Sequence, residues 1–164
     1  MVEMVYLVRT MFNFDIRDLY FLGRNLDELK KYAGDKKWRV VKDEDGAVLD
    51  YHGDELLSKT YYIEERAPQY FKAKVIITGL EASPFDLRVS LETKGTNKTI
   101  VEYKTKCDLP PDFDRDVIWD TIDEFRKNLF DQFSKAAVAL ERDRRKLETS
   151  VPYEDIENNQ ATKK

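Results

Sequence analysis

The hydrophobic pattern changes its period twice along the chain and separates a strand, a short helical region, a run of strands and a long helix. Residues 4–14 are rich in β-branched and aromatic residues at both parities, which predicts a strand buried on much of both faces. Asp15 is a candidate N-cap, and apolar residues then recur at helical spacing until Gly34. Gly23 and Asn25 interrupt this stretch, so one kinked helix and two short helices both remain open.

From Lys37 to Cys107 the apolar period becomes two, which predicts strands with one buried and one solvated face. Turn residues such as Asp45, Gly46 and Pro68 separate these strands. Together with the first strand, consecutive hairpins predict a seven-stranded antiparallel sheet. The predicted strands of this region are residues 37–43, 47–52, 56–66, 70–78, 85–93 and 99–107.

A long amphipathic helix follows Pro110 and Pro111, which end the sheet. A helix over residues 113–147 would be about 50 Å long at ~1.5 Å per residue, so its last turns are expected to project beyond the sheet. Residues 148–164 are polar and unpatterned, and we expect a disordered tail there. The apolar stripe of the helix recurs every three or four residues at Ile118, Ile122, Phe125, Leu129, Phe133, Ala136 and Leu140.

A sheet with one apolar face and a helix with one apolar stripe bury both surfaces when the sheet curls around the helix. The order and spacing of the segments 38–46 (WRVVKDEDG), 57–65 (LSKTYYIEE) and 99–106 (TIVEYKTK), followed by the long helix, carry a family resemblance. The chain resembles the START-like superfamily, which includes birch-pollen-allergen type plant proteins, lipid-transfer START domains and polyketide cyclases. We therefore expect an α+β helix-grip fold in which residues 1–147 form a single domain.

The resemblance implies a cavity between the sheet and the C-terminal helix, because a strongly curved sheet and a straight helix cannot stay in contact along their whole length. The expected function is binding or transport of a hydrophobic or amphipathic small molecule such as a lipid, a sterol or a polyketide-like aromatic. Large side chains filling the space are the competing expectation. The candidate ligand-binding residues are Tyr61, Phe71, Val75, Leu87, Val89, Tyr103, Thr105, Ile122, Phe125 and Leu129.

Residues that carry catalytic chemistry are few. His52 is the only histidine, and its place at a predicted turn indicates an exposed residue rather than a general base. Cys107 lies on the inward parity of a strand, where a buried and inert thiol is expected. Glu64 and Glu65 are adjacent on a strand and so point to opposite faces. No catalytic residue, metal site or cofactor is predicted.

Composition and charge set the broad class of the protein. The chain has 164 residues, a formal net charge of −4 and 12% aromatic residues, which suits one globular domain and lacks the basic excess of nucleic-acid binders. No apolar run approaches the ~20 residues of a membrane-spanning helix. The single cysteine and the absence of a secretion signal favour a cytoplasmic location.

Two alternatives to a ligand carrier remain open at this point. The first is an enzyme of the cyclase or isomerase type that uses cavity tyrosines, although a protein without catalysis is favoured. The second is an interaction module with a closed cavity, in which the end of the C-terminal helix or the tail recruits a protein partner. Transient contact with a membrane surface is also compatible with the sequence.

Overall fold

A computed structural model describes residues 2–34 and 36–163, with side chains described as far as residue 146. Its strands form one antiparallel sheet in the order β1-β7-β6-β5-β4-β3-β2, which confirms the predicted seven-stranded α+β fold. The predicted disordered tail, residues 148–164, lies outside the residues described with side chains and stays a prediction. The elements are β1 (Val2–Phe12), α1 (Ile16–Arg24), α2 (Leu26–Ala33), β2 (Trp38–Lys42), β3 (Val48–His52), β4 (Glu55–Arg66), β5 (Tyr70–Ile77), β6 (Phe85–Gly95), β7 (Lys98–Leu109) and α3 (Arg115–Lys163).

The helical region after β1 consists of two short helices. The Asp15 carboxylate caps α1 by accepting a hydrogen bond from the backbone N–H of Arg17 at 2.8 Å. Asn25 ends α1, where its side-chain amide donates to the Phe21 carbonyl oxygen at 2.8 Å, and the same residue is the N-cap of α2. Gly34 ends α2 with a φ of 82°, a left-handed conformation that favours glycine.

The first strand differs from its prediction, because only one of its faces is buried. β1 is an edge strand of the sheet, and the helices cover one face of that sheet, so the other face of β1 meets solvent. The expectation of burial on much of both faces is therefore wrong. The buried residues of β1 are Met4, Tyr6 and Phe12, and the exposed apolar residues are Val2, Val5, Leu7 and Met11.

The core lies between the inner face of the sheet and the three helices. Strands β5, β6 and β7 alternate between buried and more exposed residues as predicted. The apolar stripe of α3 faces this core, and the exposed residues 142–146 follow it. Arg144 in this part of α3 forms an ion pair with the buried carboxylate of Asp18 on α1, which links residues 142–146 to the body of the protein.

Candidate functional site

A cavity of about 50 Å³, which we call the main cavity, lies between the inner face of the sheet and helices α1, α2 and α3. Most of its wall is aromatic or aliphatic, and a few polar side chains from β3 and β4 interrupt it. The lining residues are Phe12, Leu19, Gly23, Leu26, Asp50, Ser58, Thr60, Tyr62, Phe71, Val75, Leu87, Val89, Leu91, Val101, Tyr103, Phe125, Leu129, Phe130 and Phe133.

The structure brings most of the candidate ligand-binding residues together around the main cavity, but three of them lie elsewhere. Thr105 and Ile122 are buried in the core and do not form part of the cavity wall. Tyr61 has the opposite parity to Thr60 and Tyr62, which line the cavity from β4. The candidates that line the main cavity are Phe71, Val75, Leu87, Val89, Tyr103, Phe125 and Leu129.

Sequence reasoning missed the contribution of α1 to the wall. An added side-chain carbon at Gly23 would lie 3.2 Å from a ring atom of Phe71 and 3.3 Å from one of Phe133, so glycine lets α1 approach both rings. The Tyr62 hydroxyl donates a hydrogen bond to the Gly23 carbonyl oxygen at 2.9 Å, and the Arg24 guanidinium lies 4.0 Å from the Tyr62 ring centroid. These contacts hold α1 over the cavity.

A second cavity of about 60 Å³, which we call the side cavity, adjoins the main cavity. It lies among α2, strands β2 to β4 and α3. Both cavities share Asp50, Phe125 and Leu129 as lining residues, so these side chains form the partition between them. The remaining residues of the side cavity are Lys30, Trp38, Leu57, Asn128 and Gln132.

A buried polar cluster stands at this partition. The Lys30 ammonium lies 3.5 Å from Asp50 Oδ2 and 3.8 Å from the Trp38 ring centroid, and it donates a hydrogen bond to Gln132 Oε1. Burial raises the pKa of the Asp50 carboxyl, and the charge of Lys30 opposes this shift. Asp50 Oδ1 is buried and has no hydrogen-bond partner among the described residues. Because charged residues normally indicate a solvated surface, no sequence pattern predicted this cluster.

The cavity tyrosines are Tyr62 and Tyr103. Burial raises the pKa of both hydroxyls above the ordinary value. Like other tyrosine hydroxyls, both are protonated at neutral pH and can donate hydrogen bonds. The Tyr62 hydroxyl already donates to the Gly23 carbonyl oxygen. Tyr103 packs edge-on against Phe130, with the two ring centroids 5.9 Å apart.

The other candidate chemical groups lie apart from one another. The His52 ring packs against Trp38 at the end of β3, with their centroids 4.7 Å apart. Cys107 is buried, and this burial raises the pKa of its thiol. Glu64 pairs with Lys72, whereas Glu65 pairs with a residue of α1.

Among the described residues, no cluster of His, Cys, Asp and Glu is placed to hold a metal ion. None of the helices, as far as they were described, is both long and apolar enough to cross a membrane.

Comparisons with known proteins identify the fold. No family model and no curated protein sequence matches the chain. Among solved structures, Ara h 8.0201 matches with a TM-score of 0.64 at 10% identity, over 84% of this chain and 99% of that one. A START superfamily protein from Mycobacterium smegmatis matches with a TM-score of 0.61 at 8% identity, over 83% and 98% of the two chains. CalU16 from Micromonospora echinospora matches with a TM-score of 0.56 at 9% identity, over 84% and 79%. The chain therefore has the START-like helix-grip fold of the birch-pollen-allergen type.

Proposed function

We propose that the protein binds a small hydrophobic or amphipathic molecule in the main cavity. The observation that carries this proposal is the character of the wall, in which aromatic and aliphatic side chains surround a few polar groups. Sites for small molecules have this composition, because apolar surface supplies affinity and isolated polar groups set the orientation of the ligand. The START-like fold supports the same function by analogy of fold alone.

The volumes of the cavities limit the size of this molecule. Sites for drug-sized ligands have volumes of about 300–1,000 Å³, and a dry engineered cavity of about 150 Å³ binds benzene. The main cavity, at about 50 Å³, and the side cavity, at about 60 Å³, approach the size for one aromatic ring only when they are joined. We therefore propose that a ligand displaces the half-buried side chains of Phe125 and Leu129 and occupies both cavities. A sterol or a lipid needs a larger opening of the same partition.

Tryptophan fluorescence provides a direct test of this proposal, because the two tryptophans differ in position. Trp38 lines the side cavity, whereas Trp119 is partly exposed and packs against Tyr6, with ring centroids 4.9 Å apart. In the Trp119→Phe variant, toluene is expected to change the emission of Trp38 saturably. In the Trp38→Phe variant, the emission of Trp119 is expected to stay nearly constant.

Two results would count against the proposal. A linear, unsaturated response in both variants would show that toluene acts only through the solvent. An equal saturable response of both tryptophans would place the binding site outside the cavities. Native mass spectrometry of the purified protein complements the titration, since a bound mass that survives purification gives the first information on the natural ligand.

A further inference from the structure

The partition between the two cavities contains an acceptor that the protein itself leaves unused. Asp50 is only 6% exposed and lines both cavities. Its Oδ1 atom has no hydrogen-bond partner among the described residues. Buried polar atoms in native proteins are nearly always hydrogen-bonded to protein or to water, so this carboxylate oxygen in a cavity wall is a place for an external donor, either a water molecule or a ligand group that replaces it.

Neighbouring polar residues do not provide that donor. The Lys30 ammonium is directed to Asp50 Oδ2, to Gln132 Oε1 and to the ring of Trp38. Ser58 lies opposite Asp50 in the register of β3 and β4, yet no hydrogen bond joins the two side chains. The charge of Asp50 is therefore compensated by Lys30, while one of its oxygen atoms still lacks a hydrogen bond.

Charge determines which donor fits this oxygen. An ammonium group at Oδ1 would meet the positive charge of Lys30, which lies only 3.5 Å from the other oxygen of the same carboxylate. A carboxylate ligand would be repelled by Asp50 itself. A hydrocarbon would cover Oδ1 without offering a hydrogen bond, which leaves a desolvated acceptor unpaired. A neutral hydroxyl group satisfies the acceptor and leaves the charge balance of the pair unchanged.

We propose that the ligand is an alcohol or a phenol whose hydroxyl group donates a hydrogen bond to Asp50 Oδ1, and this proposal rests on the proposed function. The apolar part of the ligand lies in the main cavity among the aromatic side chains, and the hydroxyl group lies at the partition. A ligand large enough to join the two cavities passes this point, because Asp50 belongs to both walls. The site thus selects neutral donors over cations, anions and plain hydrocarbons.

Single-ring probes test this proposal on the unmodified protein. Dissociation constants are measured at neutral pH by calorimetry for phenol, anisole, toluene, benzylamine and benzoate. Phenol is expected to bind about tenfold more tightly than anisole and toluene, since the site rejects analogues that leave a buried polar group unpaired. Benzylamine and benzoate are expected to bind more weakly than phenol by at least a similar factor. Phenol is hydrated more favourably than toluene, so an entirely apolar site would bind toluene more tightly than phenol.

A paired variant tests whether Asp50 causes this preference. In Lys30→Met/Asp50→Val both partners of the buried ion pair become apolar, a change that proteins tolerate better than the loss of one partner. The ratio of the anisole and phenol dissociation constants is expected to fall towards one. The matched control, Glu64→Gln/Lys72→Met, removes an exposed ion pair with an N–O distance of 3.3 Å and is expected to keep the ratio.

The outcomes separate this inference from the proposed function. Toluene binding without a preference for phenol overturns the hydroxyl site and leaves the proposed function standing. A preference for phenol that persists in the Lys30→Met/Asp50→Val variant also overturns it. If none of the probes binds, both proposals fail. The probe series on the unmodified protein decides the question even when the double variant does not fold.

Discussion

Replacement of Gly23 by alanine is expected to weaken ligand binding while leaving the protein folded. The new methyl group points at the rings of Phe71 and Phe133, at 3.2 and 3.3 Å from their nearest atoms. A methyl group is similar in size to a water molecule, whose share of liquid volume is about 30 Å³. The main cavity has a volume of about 50 Å³, so the substitution removes much of the space or forces the rings into it.

The effect of this substitution on stability is expected to be small, because its contributions oppose one another. Alanine is favoured over glycine in a helix by about 1 kcal/mol, and burial of the methyl group contributes about 0.8 kcal/mol. Overpacking against the two rings costs about 1–3 kcal/mol. The free energy of unfolding should therefore change by no more than about 1 kcal/mol. A ligand in the main cavity packs against the new methyl group and the two rings. An overpacking cost of about 1–3 kcal/mol on binding corresponds to about 5- to 150-fold weaker binding.

The assay compares toluene binding by calorimetry with urea unfolding for the wild type, Gly23→Ala and a matched control. The control is Phe21→Ala, a change to alanine on the same helix at a residue that is 39% exposed and lies outside the cavity wall. It should leave the toluene dissociation constant unchanged. If Gly23→Ala also binds toluene with the wild-type constant, the main cavity is not the site of toluene binding.

Three further substitutions are expected to have distinct effects. Phe125→Ala joins the two cavities, so calorimetry should detect naphthalene binding to this variant and not to the wild type. The variant should lose about 2 kcal/mol of unfolding free energy, which is less than the ~3–5 kcal/mol typical of a fully buried phenylalanine. The Tyr6 hydroxyl lowers the pKa of Asp123 to about 2. In urea unfolding, the unfolding free energy of Asp123→Asn should therefore be about 1 kcal/mol below that of the wild type above pH ~4. This difference should disappear as the pH falls through about 2, because the wild-type carboxylate then becomes protonated. Arg144→Ala leaves the carboxylate of Asp18 buried without its cation, which should lower the unfolding free energy by about 1–3 kcal/mol in the same assay.

Two exposed residues of α3 provide matched controls for Asp123→Asn and Arg144→Ala. Asp120 and Arg142 are exposed residues of α3, and Asp120→Asn and Arg142→Ala should change stability by less than about 0.5 kcal/mol. A stability difference for Asp123→Asn that stays constant down to pH 2 would exclude the lowered pKa. An unchanged stability of Arg144→Ala would mean that the ion pair with Asp18 does not stabilise the folded protein. Rejection of naphthalene by Phe125→Ala would argue against the partition.

The part of the site that the sequence predicted lies on elements with a clear period. Strands β5, β6 and β7 alternate between inward and outward residues, and this alternation predicted that Phe71, Val89 and Tyr103 face inward. The stripe of α3 likewise identified Phe125 and Leu129. A regular pattern fixes which side chains face inward, and the inward face is where the cavity lies.

Strand β4 was misread because its pattern does not specify one face. Apolar or aromatic residues occur at both parities of this strand, and irregularities interrupt its pairing at Asp50/Tyr51 and at Tyr62/Glu64. Tyr61 was predicted to be a ligand-binding residue, whereas the structure turns Tyr62 inward. A bulge shifts the alternation by one residue, and the sequence alone does not show where this happens.

The residues that sequence reasoning missed depend on contacts between distant elements. Lys30 and Asp50 lie on α2 and β3, and each of them taken alone has the character of a solvated residue. Gly23 was interpreted as an interruption of a helix, yet it is the point where α1 approaches the rings of Phe71 and Phe133. Such roles arise only when the chain is folded, so no local pattern reports them.

NMR mapping of a bound ligand shows directly whether a small molecule binds in the main cavity. During a titration with toluene, the methyl resonances of Val75, Leu87 and Val89, which line the main cavity, should shift saturably with a common dissociation constant. The methyl resonances of Leu7 and Val138, which are exposed, should not shift. Saturable shifts at the exposed methyl groups, with none at the cavity methyl groups, would place the binding site on the protein surface and exclude binding in the main cavity.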